Sequence, residues 1–99
     1  MNDTLTRQSV TEALRAAGHC EATDDRTGFM AFRPDAGTRI IVVPCLDEHM
    51  EGHWDSPAHH DSMARMTGEY RQALEAAGWV VVVHPSGEGL TVTGYAKAA

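Results

Sequence analysis

Val10-Thr-Glu-Ala-Leu-Arg-Ala-Ala-Gly18-His19 returns sixty positions later as Tyr70-Arg-Gln-Ala-Leu-Glu-Ala-Ala-Gly78-Trp79, aligned without a gap. In each copy an amphipathic alanine/leucine segment runs into a glycine, and a segment able to form strands follows. Glycine takes up the left-handed conformation that closes a helix at little steric cost. Each copy therefore predicts a helix, a stop and antiparallel strands. The repeat sets the grammar of the fold and leaves the chemistry open.

Working outward, the first helix is expected from Thr4 to Ala17, with Leu5, Val10, Ala13, Leu14 and Ala17 on one face. Ser9 and Glu12 have capping-box spacing, which allows a start as late as Val10. Three short strands are expected next: His19–Thr23, Phe29–Arg33 and Thr38–Val43, the last ending at Pro44. The turn sequences Asp24-Asp-Arg-Thr-Gly28 and Pro34-Asp-Ala-Gly37 separate them. The second helix is expected from Asp61 or Ser62 to Ala77, with Met63, Met66, Tyr70, Ala73, Leu74 and Ala77 as its apolar stripe. Trp79–His84 and Leu90–Tyr95 then read as a hairpin across Pro85-Ser-Gly-Glu-Gly89.

The expected order is α-β-β-β-α-β-β: an α+β fold with a mostly antiparallel sheet of about five strands and two helices packed on one face. The chain reads as a single domain over 1–99, built from a helix-plus-strands unit (4–44), a polar histidine-rich loop (45–60) and a helix-plus-hairpin unit (61–95). Ile40-Ile-Val-Val43 and Val80-Val-Val-Val83 do not alternate apolar with polar. Strands of that composition are normally covered on both faces. Two helices cover one face only, and loop 45–60 is too polar to make a good lid, so a homodimer is the expected cover.

Composition narrows the function classes. Of 99 residues, 42% are hydrophobic and 22% charged, which is the balance of a folded domain. Eight basic against fourteen acidic side chains leave a net charge of −6. Such a surface repels phosphate backbones and anionic lipid, so neither direct nucleic-acid binding nor membrane attachment is expected. The arginines are scattered among acids, with no basic patch interleaved with aromatics. Ile40–Val43 and Trp79–Val83 fall far short of the roughly 20 residues that span a bilayer. The N-terminus has no secretory pattern, and Cys20 and Cys45 form no CxxC pair. Both cysteines are expected as reduced thiols in a cytoplasmic protein, with a disulfide between them as the alternative.

Residues 45–61 hold the one dense cluster of chemically capable side chains, with four histidines and five acids. His49 and His53 are four apart, which on a helical turn puts both imidazoles on one side. Together with His59, His60 or a carboxylate they could form a tetrahedral zinc site. Gly52 and Pro57 work against a rigid helix there, and the HExxH order of metalloproteases is absent. The opposing reading is a hydrated loop. Trp54, within the same stretch, reads equally as a binding anchor or as a lid over the core. Carboxylates beside these histidines also allow a pH switch. A Cys45–His49 nucleophile pair is conceivable, but a small residue at a strand end explains Cys45 more simply. Ser86 beside His84 lacks the strand-to-helix setting of a serine nucleophile, and Gly87-Glu-Gly89 lacks the Lys-Ser/Thr of a phosphate loop.

Several resemblances follow. From the first helix into the second, the expected order is similar to double-stranded RNA-binding domains. Ala16-Ala-Gly-His19 and the run Phe32-Arg-Pro-Asp-Ala-Gly-Thr-Arg-Ile-Ile-Val-Val-Pro44 resemble small bacterial mRNA-interferase toxins of the Hic type. In that family the catalytic histidine lies in a Gly-Ser-His stretch. Here Thr27-Gly28-Phe29 holds no histidine and the net charge has the opposite sign, so the resemblance carries no ribonuclease activity. The full element order is similar to small acidic type III secretion chaperones, which implies a homodimer that holds an extended partner segment.

The leading expectation is an acidic binding or adaptor protein without catalytic activity, chaperone-like or an inhibitor of a basic partner protein. It would bind a protein partner through Trp54, His49, His53 and His59 together with exposed sheet edges. Its inhibitor form would mimic nucleic acid through clustered acids. The alternative is a metal-binding protein or metal-dependent enzyme holding zinc through His49, His53, His59 and His60.

Overall fold

A computed structural model describes residues 5–23, 26–34, 39–45 and 57–95, with 57–59 described by backbone alone. The first helix, α1 (Arg7–Ala16), is opened by Thr6 in extended conformation. The Thr6 hydroxyl accepts the Ser9 N–H at 3.0 Å, and the Ser9 hydroxyl accepts the Thr6 N–H at 2.9 Å. This reciprocal pair satisfies two donors that the first helical turn leaves free. It corrects both expected starts: the helix begins neither at Thr4 nor at Val10, because Ser9 is the third helical residue and not the cap.

Both copies of the repeat end their helices alike. Gly18 has φ +95° and Gly78 φ +101°. Their N–H groups donate to the carbonyls of Arg15 and Glu75, each at 3.0 Å. Val10 and Leu14 of α1 are buried, as are Tyr70 and Leu74 at the equivalent places of the second helix.

After Gly18 the chain departs from expectation. His19–Thr23 forms no strand; it makes only isolated bridges, Glu21 with Phe29 and Thr23 with Arg26. The Cys20 carbonyl accepts the Phe29 N–H and the Ala22 N–H donates to the Phe29 carbonyl, both at 2.9 Å. Cys20 and Ala22 are the only apolar residues of that stretch, too few to hold a strand against the core. Among the described residues the sheet accordingly has four strands and not five, and the element order is α-β-β-α-β-β.

The strands are β1 (Gly28–Phe32), β2 (Ile40–Cys45), β3 (Trp79–Val83) and β4 (Leu90–Tyr95), all antiparallel in the spatial order β1-β2-β4-β3. β2 runs through Pro44, where a stop was expected. Pro44 lies opposite Phe29, whose own N–H and C=O point away from β2 toward Cys20 and Ala22. By the alternation of an antiparallel ladder, the Pro44 nitrogen faces the β4 side. Pairing with β4 extends only as far as Val42, so no ladder bond is lost.

The second helix, α2, spans Pro57–Ala76 and starts earlier than Asp61. Proline suits a first turn, where its missing N–H would have no partner in any case. The expected loop 45–60 is corrected at this end: His59 and His60 belong to α2.

Both helices pack on the same side of the sheet. Val10, Leu14, Tyr70 and Leu74 join Phe29, Ala31, Ile40, Val42, Trp79, Leu90 and Val92 in one buried cluster. A bulge in β4 completes it. Val80 pairs with Gly94 and Val81 with Val92, leaving Thr93 as an extra residue. The extra residue brings Tyr95 opposite Trp79 on the helix side, with ring centroids 4.9 Å apart.

Candidate functional site: the open face of the sheet

Alternation along the strands sends a second set of apolar side chains away from the helices. Met30 and Val43 are cross-strand partners, as are Phe32 and Ile41; Ile41 continues to Thr91, and Thr91 to Val82. Val80 lies next along β3. None of these side chains is ionisable. Exposure rises toward the two flanks, with Met30 at 47%, Val80 at 40% and Val82 at 57%. Among the described residues no element packs over this face. Four strands about 4.8 Å apart, each five residues at about 3.3 Å, make it on the order of 300 Å². That is the size of the larger apolar patches found on protein surfaces.

One rim of the face is built by the β3–β4 turn. A hollow of about 100 Å³ lies there between Ile41, Val43, His84 and Glu88. Gly89 has φ +98°, and a Cβ on it would sit 3.2 Å from a Val43 methyl. Its N–H donates to the Thr67 hydroxyl at 2.8 Å, and that hydroxyl donates to the Met63 carbonyl at 2.8 Å. Thr67 is buried, so this hydroxyl ties the turn to α2 out of reach of water. Sequence reasoning passed over Thr67, because a threonine inside a helix carries no local mark of such a role.

The turn also contains the His84–Ser86 pair. His84 Nδ1 accepts the Ser86 N–H at 3.2 Å and lies 2.8 Å from Ser86 Oγ. Ser86 Oγ in turn accepts the Glu88 N–H at 3.2 Å. Accepting a backbone N–H leaves Nδ1 unprotonated, so the serine hydroxyl donates to it. The pair is occupied in closing an exposed turn.

Of the residues proposed for partner or metal binding, His49, His53 and Trp54 lie outside the described residues. His59 falls in the first turn of α2. His60 Nδ1 lies 3.0 and 3.2 Å from the two carboxylate oxygens of Glu88, and so joins α2 to the β3–β4 turn. Among the described residues no group of three or more histidine, cysteine or acidic side chains is placed to hold a metal. Cys20 and Cys45 are free thiols. Burial pushes the Cys45 thiol up from its ordinary value, the opposite of what a nucleophile needs. Burial, with Cys45 as the next cause, also raises the Tyr70 phenol to about 12.

A second hollow, of about 400 Å³, opens beside the end of α1 between Arg15, His19, Cys20, Glu21 and Arg26. Its charges are mixed. Arg26 donates to the Glu21 carbonyl at 3.2 Å, and the Glu21 carboxylate lies 3.9 Å from Arg7. The described helices include none long and apolar enough to cross a membrane.

The sequence flagged the two-faced valine and isoleucine runs of β2 and β3. Phe29–Arg33 was read only as an alternating strand, and which partners Met30 and Phe32 would join on this face depends on the pairing register. Comparison of the chain with models of known protein families, with curated proteins and with solved structures finds no match.

Proposed function

We propose that this protein is a non-catalytic binding protein, an adaptor that holds an apolar, extended segment of a protein partner against the open face of its sheet. The observation that carries this reading is the uncharged face running from Met30 through Phe32 and Ile41 to Val82 on a chain of net charge −6. Contiguous apolar surface is costly to leave in water, and the largest such patch on a monomer often serves as a contact surface. A basic partner fits this face poorly, because no outward side chain from Met30 across to Val82 is an anion, and Glu88 on its rim is engaged with His60.

Peptide binding tests the reading. Apolar ten-residue peptides should bind the unmodified protein, and Met30→Lys should weaken them about tenfold or more, since the charge must be desolvated beneath the peptide. Lysine-rich peptides should bind weakly, and equally to both proteins. Tight capture of lysine-rich peptides with no effect of Met30→Lys would replace this reading with that of an inhibitor of basic proteins.

A further inference from the structure

Among the described residues β3 is an edge strand of the sheet, and nothing in its own sequence protects it. Natural edges are usually blunted by lysine, proline, an inward-facing charge, a covering segment or a bulge that twists the edge away. Trp79–Val83 has no charge and no proline, and the extra residue of the bulge belongs to β4. The hydrogen bond from the His84 N–H to the Gly89 carbonyl sets the ladder phase. With Val83 opposite Leu90 and Val82 opposite Thr91, alternation turns the amides and carbonyls of Val82 toward β4. Those of Val81 and Val83 point out along the edge, where no described strand pairs with them.

We infer that β3 pairs with β3 of a second copy, antiparallel about a two-fold axis through Val82, to give a continuous eight-stranded sheet. This rests on the reading of the open face as a binding surface and says how that surface is assembled. In this register Val81 meets the partner copy's Val83, and Val83 its Val81, so all four outward N–H groups find carbonyls. Val82, the most exposed of the large apolar side chains among the described residues, meets its own copy on the open face. Three consecutive valines make the edge self-complementary. Two molecules of charge −6 repel, and an uncharged seam lets them meet without placing like charges together. Area points the same way. One face on the order of 300 Å² is small against the roughly 800 Å² each partner contributes to a standard interface. Stacking two copies face to face would use up that surface, whereas edge pairing doubles it and leaves it open to the partner segment.

Amide exchange on the unmodified protein tests the pairing. The Val81 and Val83 amides should exchange slowly at high protein concentration and at least tenfold faster on dilution to monomer. In a Cys20→Ser/Cys45→Ser background, mild oxidation should trap Val82→Cys as a disulfide-linked dimer. Val81→Cys should stay unlinked, because it faces Val83 and not itself. Fast exchange of both amides at every concentration overturns the inference, and does so even where apolar peptides still bind, which would leave the open-face reading standing. Protected amides without a Val82→Cys disulfide overturn this register. Loss of both protection and peptide binding removes both readings.

Discussion

The two copies of the repeated decamer end in the same way and continue differently. At Gly18 and Gly78 the φ angles differ by only a few degrees, and the closing hydrogen bonds have the same length. Beyond Gly78 the chain enters a strand at once, whereas beyond Gly18 it makes two isolated bridges before β1 begins. The helix stop is thus a local property of the decamer. The strand is not: Trp79-Val-Val-Val-Val83 brings Trp79, Val81 and Val83 to the core, while His19-Cys-Glu-Ala-Thr23 has little to bury. Each half then anchors its hairpin by its own device. In the first, the backbone of Cys20–Ala22 lies against Gly28; in the second, Thr67 holds Gly89.

The largest effect is expected where the first half lacks a strand. A Cβ on Gly28 would fall 2.3 Å from the Cys20 carbonyl oxygen and 2.7 Å from the Ala22 nitrogen. Backbone would have to move, so Gly28→Ala should cost roughly 3 kcal/mol or more in urea unfolding. An effect below about 1 kcal/mol would mean that the 20–22 segment is no real anchor.

The corresponding break in the second half is smaller. Thr67→Val leaves the buried Gly89 N–H without its acceptor and should cost about 1–3 kcal/mol, while Thr67→Ser should recover most of the loss. Equal stability of the valine and serine proteins would remove the hydroxyl from the account.

The smallest effects sharpen the likeness of the two stops. Gly18→Ala and Gly78→Ala should each cost about 1–2 kcal/mol, and by nearly the same amount, since alanine is strained at both angles. A large inequality in thermal or urea unfolding would show that one stop depends on its tertiary surroundings.

Legibility in the sequence followed the same division. The helices, their glycine stops and the hairpin from Trp79 to Tyr95 could be read because apolar spacing and turn residues mark them locally. The strand at His19–Thr23 was over-read, because two apolar residues among polar ones imitate alternation without supplying a buried face. The early start of α2 was missed because Pro57 sits among polar residues that carry no periodicity. The open face was half legible. Valine and isoleucine runs announced a sheet apolar on both sides, but the alignment of Met30 and Phe32 with Val43 and Ile41 depends on pairing register, which no single strand encodes.

Among the described residues, a single copy leaves open both an apolar sheet face and the β3 edge. Sedimentation equilibrium of the unmodified chain at micromolar concentration and physiological salt tests this most directly. A mass twice the 10.7 kDa of one chain is the predicted result, and Val82→Lys should return it to the single-chain value. A 10.7 kDa species that persists unchanged up to millimolar concentration would contradict it.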